Sequence, residues 1–248
     1  MFQFIEQQTD LEKVLYLMDQ HPVYALDTEF IKVDTFWPKL GVFQINIAEQ
    51  IFLLDGTTLD LTAFWKKVYR AQQNIFHACS EDIDLIYHYA GPYSLSNVFD
   101  TQVGLSFLGQ GLQVSYQNAL KIVLDIDIEK DQTRSDWLAR PLTDEQLHYA
   151  ANDVLYLGQL AEQIKTELKQ KNLYECVLED CKHLTQEIAE ETPLHLLYQD
   201  VGNYRHTRRQ LMQLQHLSVW REQMVKALNQ PRSFILRNST MIDLVEKN

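Results

Sequence analysis

Apolar and polar positions along the first two thirds of the chain predict strands and helices that follow one another. Short apolar runs bounded by turn residues predict strands over residues 2–5, 23–29, 41–48, 51–54 and 74–77. Apolar residues at helical spacing predict helices over residues 9–18, 61–69, 80–90, 100–108 and 115–124. This alternation is typical of an α/β domain.

The spacing of two strands predicts the kind of sheet. Only Glu49 and Gln50 separate the runs at 41–48 and 51–54, which indicates a tight hairpin and an antiparallel pair. Strands linked through helices pair in parallel, so we expect a mixed β-sheet flanked by helices. Ser80 is predicted to cap the helix after the last of these strands.

The last third of the sequence is helical in pattern. Thr143 and Gln146 have the spacing of a capping box and open a helix. A long amphipathic helix is predicted over residues 208–228. We therefore predict three regions: an α/β domain over residues 1–170, a helical linker over 171–206 and an all-α region over 207–248.

Two carboxylates end the apolar run at residues 23–29. Asp27 and Glu29 are two residues apart, so in a strand their side chains point to the same face. Like charges held close together in partly buried surroundings repel unless a cation lies between them. Hard cations such as Mg²⁺ prefer oxygen ligands. The alternative is that Asp27 and Glu29 lie at a strand end exposed to solvent, where two acids need no cation.

Three later residues can join these acids. Asp82 flanks the apolar stripe of its predicted helix and can face an interior cleft, whereas Glu81 points further away. Tyr149 and Asp153 are four apart and share one face of the helix that begins at Thr143. Carboxylates from separate elements can surround two divalent ions that activate a water for phosphodiester hydrolysis.

Charge is distributed unevenly along the chain. The formal net charge of −12 argues against a polyanionic partner. From Arg205 to the end, however, eight basic and three acidic residues give a balance of +5. An acidic body with a basic end is compatible with a metal-loading site joined to a module that grips nucleic acid.

Composition and the first residues indicate where the protein works. With 46% hydrophobic and 23% charged residues, the 248-residue chain is typical of a globular protein. It has no apolar run of membrane-spanning length, and its start lacks the features of a signal peptide. We therefore expect a cytoplasmic protein without a membrane partner. Its three cysteines form no C-x-x-C pair, so reduced thiols are expected.

Three segments in order resemble the exonuclease motifs of the DEDD superfamily, in the variant with a tyrosine in the third motif. They lie at residues 25–30, 77–82 and 149–153. Residues 134–142 and 38–41 are more closely similar to the ribonuclease D family. Three ordered motifs and these segments make the resemblance specific, and it extends from the first strand to the end of the third-motif helix.

The resemblance implies a ribonuclease H-like fold and 3′-to-5′ hydrolysis of RNA with a free 3′ end, releasing nucleoside 5′-monophosphates. The typical task is maturation of tRNA 3′ ends. Two divalent ions, Mg²⁺ or Mn²⁺, would be bound, without an organic cofactor. Asp27 would bridge both ions, Glu29 and Asp153 would complete the shell of the first, and Asp82 would hold the second through water. Tyr149 would orient the attacking water, since a free phenol titrates near ~10.

Four further residues are candidates for substrate contacts. Phe30 and His77 adjoin the motifs, and Arg134 and Arg140 lie in a polar, irregular stretch. Each also has a structural explanation, because a histidine that closes a strand is often a hydrogen-bonded core residue and an arginine often pairs with a carboxylate.

The basic end of the chain resembles the start of a helicase-and-ribonuclease-D C-terminal (HRDC) domain. The resemblance includes Trp220, Arg221, Pro231 and Phe234. It covers about the first half of such a domain, so a shortened or degenerate copy is expected, with a weaker hold on RNA.

Two other functions remain compatible with these residues. The same acids would serve a 3′-to-5′ DNA exonuclease, because discrimination requires a contact to the 2′-hydroxyl. A catalytically silent RNA-binding scaffold on the same fold is the second alternative. The presence of acids at all four motif positions argues against it. Oligomeric state is left open by the sequence.

Overall fold

The computed structural model describes residues 1–91, 94–128 and 135–247, and the chain forms two compact units. The first unit comprises residues 1–31 and 39–189, and the second comprises residues 32–38 and 190–248. No helix in the described ranges combines the length and the hydropathy that crossing a bilayer requires.

Within the described residues, a six-stranded sheet forms the centre of the first unit. Its strands are β1 (Phe2–Ile5), β2 (Val23–Ile31), β3 (Lys39–Ile47), β4 (Gln50–Asp55), β5 (Gln73–Phe76) and β6 (Val98–Asp100). Their order is β1-β4-β3-β2-β5-β6. Strands β2, β3 and β4 pair in antiparallel fashion, and the other pairs are parallel. The prediction of a mixed sheet is confirmed.

Helices of the first unit cover this sheet with apolar side chains. They are α1 (Gln8–Gln20), α2 (Thr62–Arg70), α3 (Ser80–Ala90), α4 (Thr101–Phe107), α5 (Tyr116–Leu124), α6 (Asp144–Leu155), α7 (Leu157–Gln170) and α8 (Tyr174–Ala189). Phe43, Phe64 and Phe76 are fully buried in the core between the elements. Burying each such ring contributes about 2 kcal/mol.

Strand β2 lies inside the sheet, between β3 and β5. Tyr24, Ala25 and Leu26 are all buried. A strand that is covered on both faces is apolar at consecutive positions rather than at alternate ones. This explains the continuous apolar run that precedes the first acidic pair.

A β-bulge lies opposite the end of β2. Glu29 pairs with Val42, whereas the next residue of β2 pairs with Leu40, so Gly41 is the extra residue on β3. A Cβ atom at Gly41 would lie 2.5 Å from the carbonyl oxygen of Trp137. The bulge therefore admits only glycine and brings the segment around Trp137 against the strand.

The structure corrects two local predictions. Strand β6 was not predicted, and Asp100, which was assigned to a helix, ends this strand and caps the first turn of α4 with its carboxylate. Ser80 is not the N-cap of α3, because it is already the first helical residue and Cys79 precedes it without a side-chain cap.

The boundary between the two units also differs from the predicted one. Helix α8, which was assigned to the linker at residues 171–206, packs in the first unit with Val177 and Cys181 fully buried. The hydroxyl of Tyr87 donates a hydrogen bond to the carbonyl of Thr185 at 3.0 Å. The buried positions of α8 are few among many charged ones, so their pattern looked like that of a solvated helix.

The second unit is helical. It contains a 3-10 helix (Leu194–Asp200) followed by α9 (Arg208–Leu228), α10 (Arg232–Ile235) and α11 (Asn238–Glu246). Its small core is formed by Val201, Leu214, Met241 and Val245. Helix α9 has the predicted bounds. The resemblance of this unit to part of an HRDC domain stays a prediction.

Residues 32–38 belong to the second unit although they follow β2 in sequence. The side-chain oxygen of Asn229 accepts hydrogen bonds from the backbone N–H groups of Phe36 and Trp37, at 3.1 and 3.0 Å. Asn229 follows α9 with φ 49°, a left-handed conformation that asparagine tolerates well. The guanidinium of Arg232 lies 5.4 Å from the centroid of the Phe36 ring, and the ammonium of Lys226 lies 6.0 Å from that of Trp37.

Candidate active site

A cavity of about 350 Å³ in the first unit contains the five residues predicted to carry the chemistry. They are Asp27, Glu29, Asp82, Tyr149 and Asp153. Strand β2 supplies the first two, the first turn of α3 supplies the third, and α6 supplies the last two. Elements that are distant in sequence therefore deliver acidic side chains to one place.

Three of the carboxylates form a compact cluster. One oxygen from each of Asp27, Glu29 and Asp153 lies within 4.8 Å of the others. The two-residue spacing on β2 brings the first pair to one face. Helix α6, which carries Asp153, packs on β2 and β3. It begins with a capping box, in which Thr143 N–H donates to Gln146 Oε1 at 3.0 Å and Gln146 N–H donates to Thr143 Oγ1 at 3.2 Å.

The fourth acid is positioned by the turn before α3. In this turn Ala78 has φ 61°, in the left-handed region that an alanine adopts only at a cost of about 1–2 kcal/mol. The Asp100 carboxylate accepts hydrogen bonds from the N–H groups of Ala78 and Cys79, at 3.0 and 2.8 Å, and so stabilises the turn. Asp82 is buried and accepts a hydrogen bond from the Thr28 hydroxyl.

Burial and mutual repulsion raise the pKa of all four carboxyl groups. Burial, with repulsion from the other three acids, raises the pKa of Glu29 to about 10. Burial and the charge of Asp82 raise the pKa of Asp153 to about 7. The pKa values of Asp27 and Asp82 lie well above their usual range, first through burial and then through a neighbouring carboxylate. Such groups retain protons unless a cation compensates their charge.

The acidic cluster suits a hard divalent cation. Carboxylate oxygens are the ligands that Mg²⁺ and Mn²⁺ prefer. Oδ2 of Asp153 is buried and has no hydrogen-bond partner among the residues that the structure describes. A buried oxygen without a protein donor is available to a ligand of another kind.

Tyr149 is a neutral phenol in this environment. Burial and the charges of Asp153, Glu29 and Asp27 raise its pKa above the ordinary value. Its ring lies beside Trp137, with 6.1 Å between ring centroids. At neutral pH the side chain can donate a hydrogen bond, and it cannot serve as a phenolate base.

His77 and Phe30 also line the cavity, as expected for residues beside the motifs. The ring nitrogens of His77 lie 2.8 Å from Thr101 Oγ1 and 2.9 Å from the carbonyl oxygen of Val114. Burial lowers the pKa of His77, so the ring is neutral. These contacts fix His77 as part of the cavity wall, and Phe30 adds an apolar surface.

Arg140 is corrected from a substrate contact to a structural residue. Its guanidinium donates to both oxygens of Asp55, at 2.7 and 2.6 Å. The remaining donors bind the carbonyl oxygens of Trp137, Ala139 and Gly41, at 2.8–2.9 Å. These bonds tie the Trp137 segment to the bulge on β3 and leave no donor for a phosphate.

We expect the Arg140→Ala substitution to destabilise the protein strongly. It leaves Asp55, whose side chain is fully buried, without its partner, which typically costs 3–5 kcal/mol and here would lower the melting temperature by about 10 °C. Arg140→Lys should recover only part of the loss, because an ammonium group cannot pair with both oxygens.

The matched control removes an exposed pair. Lys121 contacts Asp125 and Asp127 at the surface, so Lys121→Ala should change the free energy of unfolding by about 0.5 kcal/mol or less. Thermal melting monitored by circular dichroism measures both variants. Equal melting temperatures for Arg140→Ala and Lys121→Ala would contradict the structural role.

Several residues of the cavity were missed or misplaced by sequence reasoning. Tyr116 and Gln117 line the cavity, and so does Glu81, which was predicted to point away. The hydroxyl of Tyr116 is buried, and none of the described residues forms a hydrogen bond with it. No spacing to the motifs singles out Tyr116 or Gln117, since only the fold brings α5 to the acids. Arg134 lies outside the described residues.

The sequence of this chain is similar to those of known proteins along most of its length. The family model for a 3′-5′ exonuclease matches residues 2–169. The chain is 35% identical over 226 residues to a ribonuclease D of Pseudomonas paraeruginosa, covering 89% of this chain and 59% of that protein. It is 30% identical over 252 residues to a ribonuclease D of Haemophilus influenzae, covering 100% and 63%. The chain thus spans about three-fifths of the length of these relatives. The predicted resemblance to ribonuclease D is confirmed.

Solved structures give the same result for the fold. The crystal structure of Escherichia coli RNase D, described as an exoribonuclease, matches with a TM-score of 0.92 and 26% identity, covering 100% of this chain and 66% of that one. Brucella melitensis NrnC with bound Mg²⁺ matches with a TM-score of 0.58 and 23% identity, covering 68% and 84%. The latter likeness establishes the fold alone.

Proposed function

Because the chain belongs to the 3′-5′ exonuclease family, we propose that it is an exoribonuclease that removes nucleoside 5′-monophosphates from the 3′ end of RNA. One observation carries the proposal: carboxylates of Asp27, Glu29 and Asp153 lie within 4.8 Å of one another, with Asp82 and Tyr149 in the same cavity. The similarity to ribonuclease D sequences favours RNA as substrate and maturation of tRNA 3′ ends as the task.

The four acids would hold two divalent cations, Mg²⁺ or Mn²⁺. Asp27 would be shared between them, Glu29 and Asp153 would complete the first site, and Asp82 would serve the second. Bound cations in such an arrangement lower the pKa of a water and stabilise the leaving oxygen of a phosphodiester. The raised pKa values of the acids agree with a site that holds protons when it is empty and releases them when cations bind.

The other side chains of the cavity would orient the reacting groups. Tyr149, a neutral phenol, would donate a hydrogen bond to the attacking water and hold it in line with the scissile bond. The Thr28 hydroxyl fixes the orientation of the Asp82 carboxylate. Phe30 offers an apolar surface for a terminal base, and the partly buried, neutral His77 keeps the wall of the cavity in place.

Thr28 provides a direct test of this orientation. We expect Thr28→Val to lower kcat by about tenfold or more, because removing a group that orients a metal ligand typically costs 10- to 100-fold. Thr28→Ser retains the hydroxyl and should keep most of the activity. Metal titrations of RNA hydrolysis measure both variants, and equal losses in the two would mean that the hydroxyl has no such role.

Labelled oligonucleotides test the function itself. RNA labelled at its 3′ end should release labelled mononucleotide at once, whereas RNA labelled at its 5′ end should shorten progressively. Both reactions should require Mg²⁺ or Mn²⁺ and stop with chelator. Internal fragments, shortening from the 5′ end or activity in excess chelator would overturn the proposal. If a DNA oligonucleotide of the same sequence is hydrolysed at the same rate, the enzyme acts on DNA as well as on RNA.

A further inference from the structure

A second cavity, of about 570 Å³, lies wholly within the second unit and is rich in cationic side chains. It is lined by Lys32, Arg221, Arg232 and Arg237, with Asp200 and Glu222 as the acids. It contains none of the residues of the acidic cavity.

Arg221 is a buried cation without a carboxylate of its own. The residue is 6% exposed. Its Nη1 donates to the carbonyl oxygen of Leu236 at 2.9 Å and to Oδ1 of Asn238 at 2.6 Å. Its Nε has no hydrogen-bond partner in the described part of the chain. The adjacent Glu222 is already bound by Arg232 through two hydrogen bonds, at 2.7 and 2.8 Å. A guanidinium removed from water and held by neutral acceptors favours an additional anion.

Ser218 adds an unused hydroxyl beside this cation. It lies three residues before Arg221 on α9, and therefore on the same face of the helix. The residue is 1% exposed and lines the cavity, and its Oγ has no hydrogen-bond partner within residues 1–91, 94–128 and 135–247. A buried hydroxyl that lacks a protein partner is costly unless a ligand or water bonds to it.

The beginning of α11 supplies the third element of the wall. Arg237 and Asn238, its N-cap and first residue, both line the cavity, and no side chain caps the helix. Free N–H groups and the helix dipole make such an end attractive to anions. Arg237 is exposed and forms no ion pair in the part of the chain that the structure describes.

We propose that this cavity binds a phosphate group of the nucleic-acid backbone. Arg221, Ser218 and the start of α11 would donate hydrogen bonds from separate directions, as a tetrahedral phosphate accepts them, and Arg237 would add a solvent-facing charge. RNA presents one such anion for every nucleotide. The inference rests on the proposed function only in taking RNA as the source of the phosphate. It locates a cationic contact for RNA in a protein that is acidic as a whole.

RNA binding without turnover tests the proposal. In the Asp27→Asn background with chelator, we expect Arg237→Ala to weaken binding of fluorescently labelled single-stranded RNA roughly tenfold. It should also reduce the slope of log affinity against log salt by about 1. Arg209→Ala removes the same charge from an exposed position on α9 outside the cavity and should leave both quantities near their original values. Equal effects of the two substitutions would overturn the proposal.

A melting experiment separates a backbone phosphate from a free anion. Inorganic phosphate should raise the melting temperature of the intact protein above its value in chloride at equal ionic strength, and Ser218→Ala or Arg237→Ala should reduce this rise. A phosphate effect in melting together with unchanged RNA affinity would mean that the cavity takes a free anion, which overturns the proposal. Neither measurement depends on hydrolysis, so a failure of the proposed activity would be seen separately, in the end-label assay.

Discussion

Replacing Asp27 by asparagine will abolish nucleotide release while the protein stays folded. Asp27 belongs to the three-carboxylate cluster and is partly buried, with Asp153 and Asp82 as neighbouring charges. If it is shared between two cations, its loss removes several kcal/mol of transition-state stabilisation. We therefore expect kcat to fall by about a thousandfold or more, measured as mononucleotide released from RNA at saturating metal.

The control for this experiment is Asp144→Asn. Asp144 lies in the first turn of α6, the helix that carries Asp153, but its side chain is exposed and lies outside the cavity. It should retain full activity. An Asp27→Asn protein with a normal melting temperature and substantial metal-dependent activity would refute the assignment of the site.

The metal-free protein will become less stable as pH rises. In the folded state the pKa is about 7 for Asp153 and about 10 for Glu29, whereas in the unfolded chain both titrate near 4. Between these values the native state binds more protons than the unfolded state, so the free energy of unfolding falls with increasing pH. The contribution of Asp153 to the free energy of unfolding is lost between about pH 4 and pH 7. The contribution of Glu29 continues to fall above pH 7.

Substitution of Asp153 tests this linkage. In chelator at pH 8, Asp153→Asn should melt at a higher temperature than the original protein, by about 3 °C for each kcal/mol of repulsion removed. The difference should shrink toward pH 5. Asp144→Asn should follow the original protein at every pH.

Divalent ions should reverse the effect of pH, because a ligand that binds only the native state stabilises it. Adding Mg²⁺ or Mn²⁺ at pH 8 should raise the melting temperature of the original protein and have less effect on Asp153→Asn. Melting curves with the same pH dependence in both proteins would show that the cluster carries no repulsion.

The sequence predicted the parts of the fold that depend on local patterns. The hairpin between β3 and β4 and the long helix α9 follow from turn chemistry and helical spacing. Strand β6 was missed because three residues are too short to show a period. Helix α8 was misassigned because Val177 and Cys181 contact the core through tertiary packing that its sequence, in which charged and apolar residues are mixed, does not reveal.

The site residues were predictable where their spacing matches the period of a strand or a helix. Asp27 and Glu29 followed from the period of a strand, and Asp82 and Asp153 from the faces of their helices, whereas the role of each acid came from the resemblance of whole motifs. Thr28 was not recognised, because its partner is 54 residues away. Arg140 was misjudged for the same reason: an arginine in a polar segment has the same local pattern whether it binds a phosphate or a carboxylate 85 residues distant.

The turn held by Asp100 has a kinetic consequence. Its carboxylate binds the backbone on both sides of the site, at Ala78 and Cys79 before α3 and in the first turn of α4. Asp100 ends β6, a strand at the margin of the sheet. During refolding, therefore, we expect activity to return only after β6 has paired with β5, because the turn at Ala78 and Cys79 lacks the Asp100 carboxylate until then.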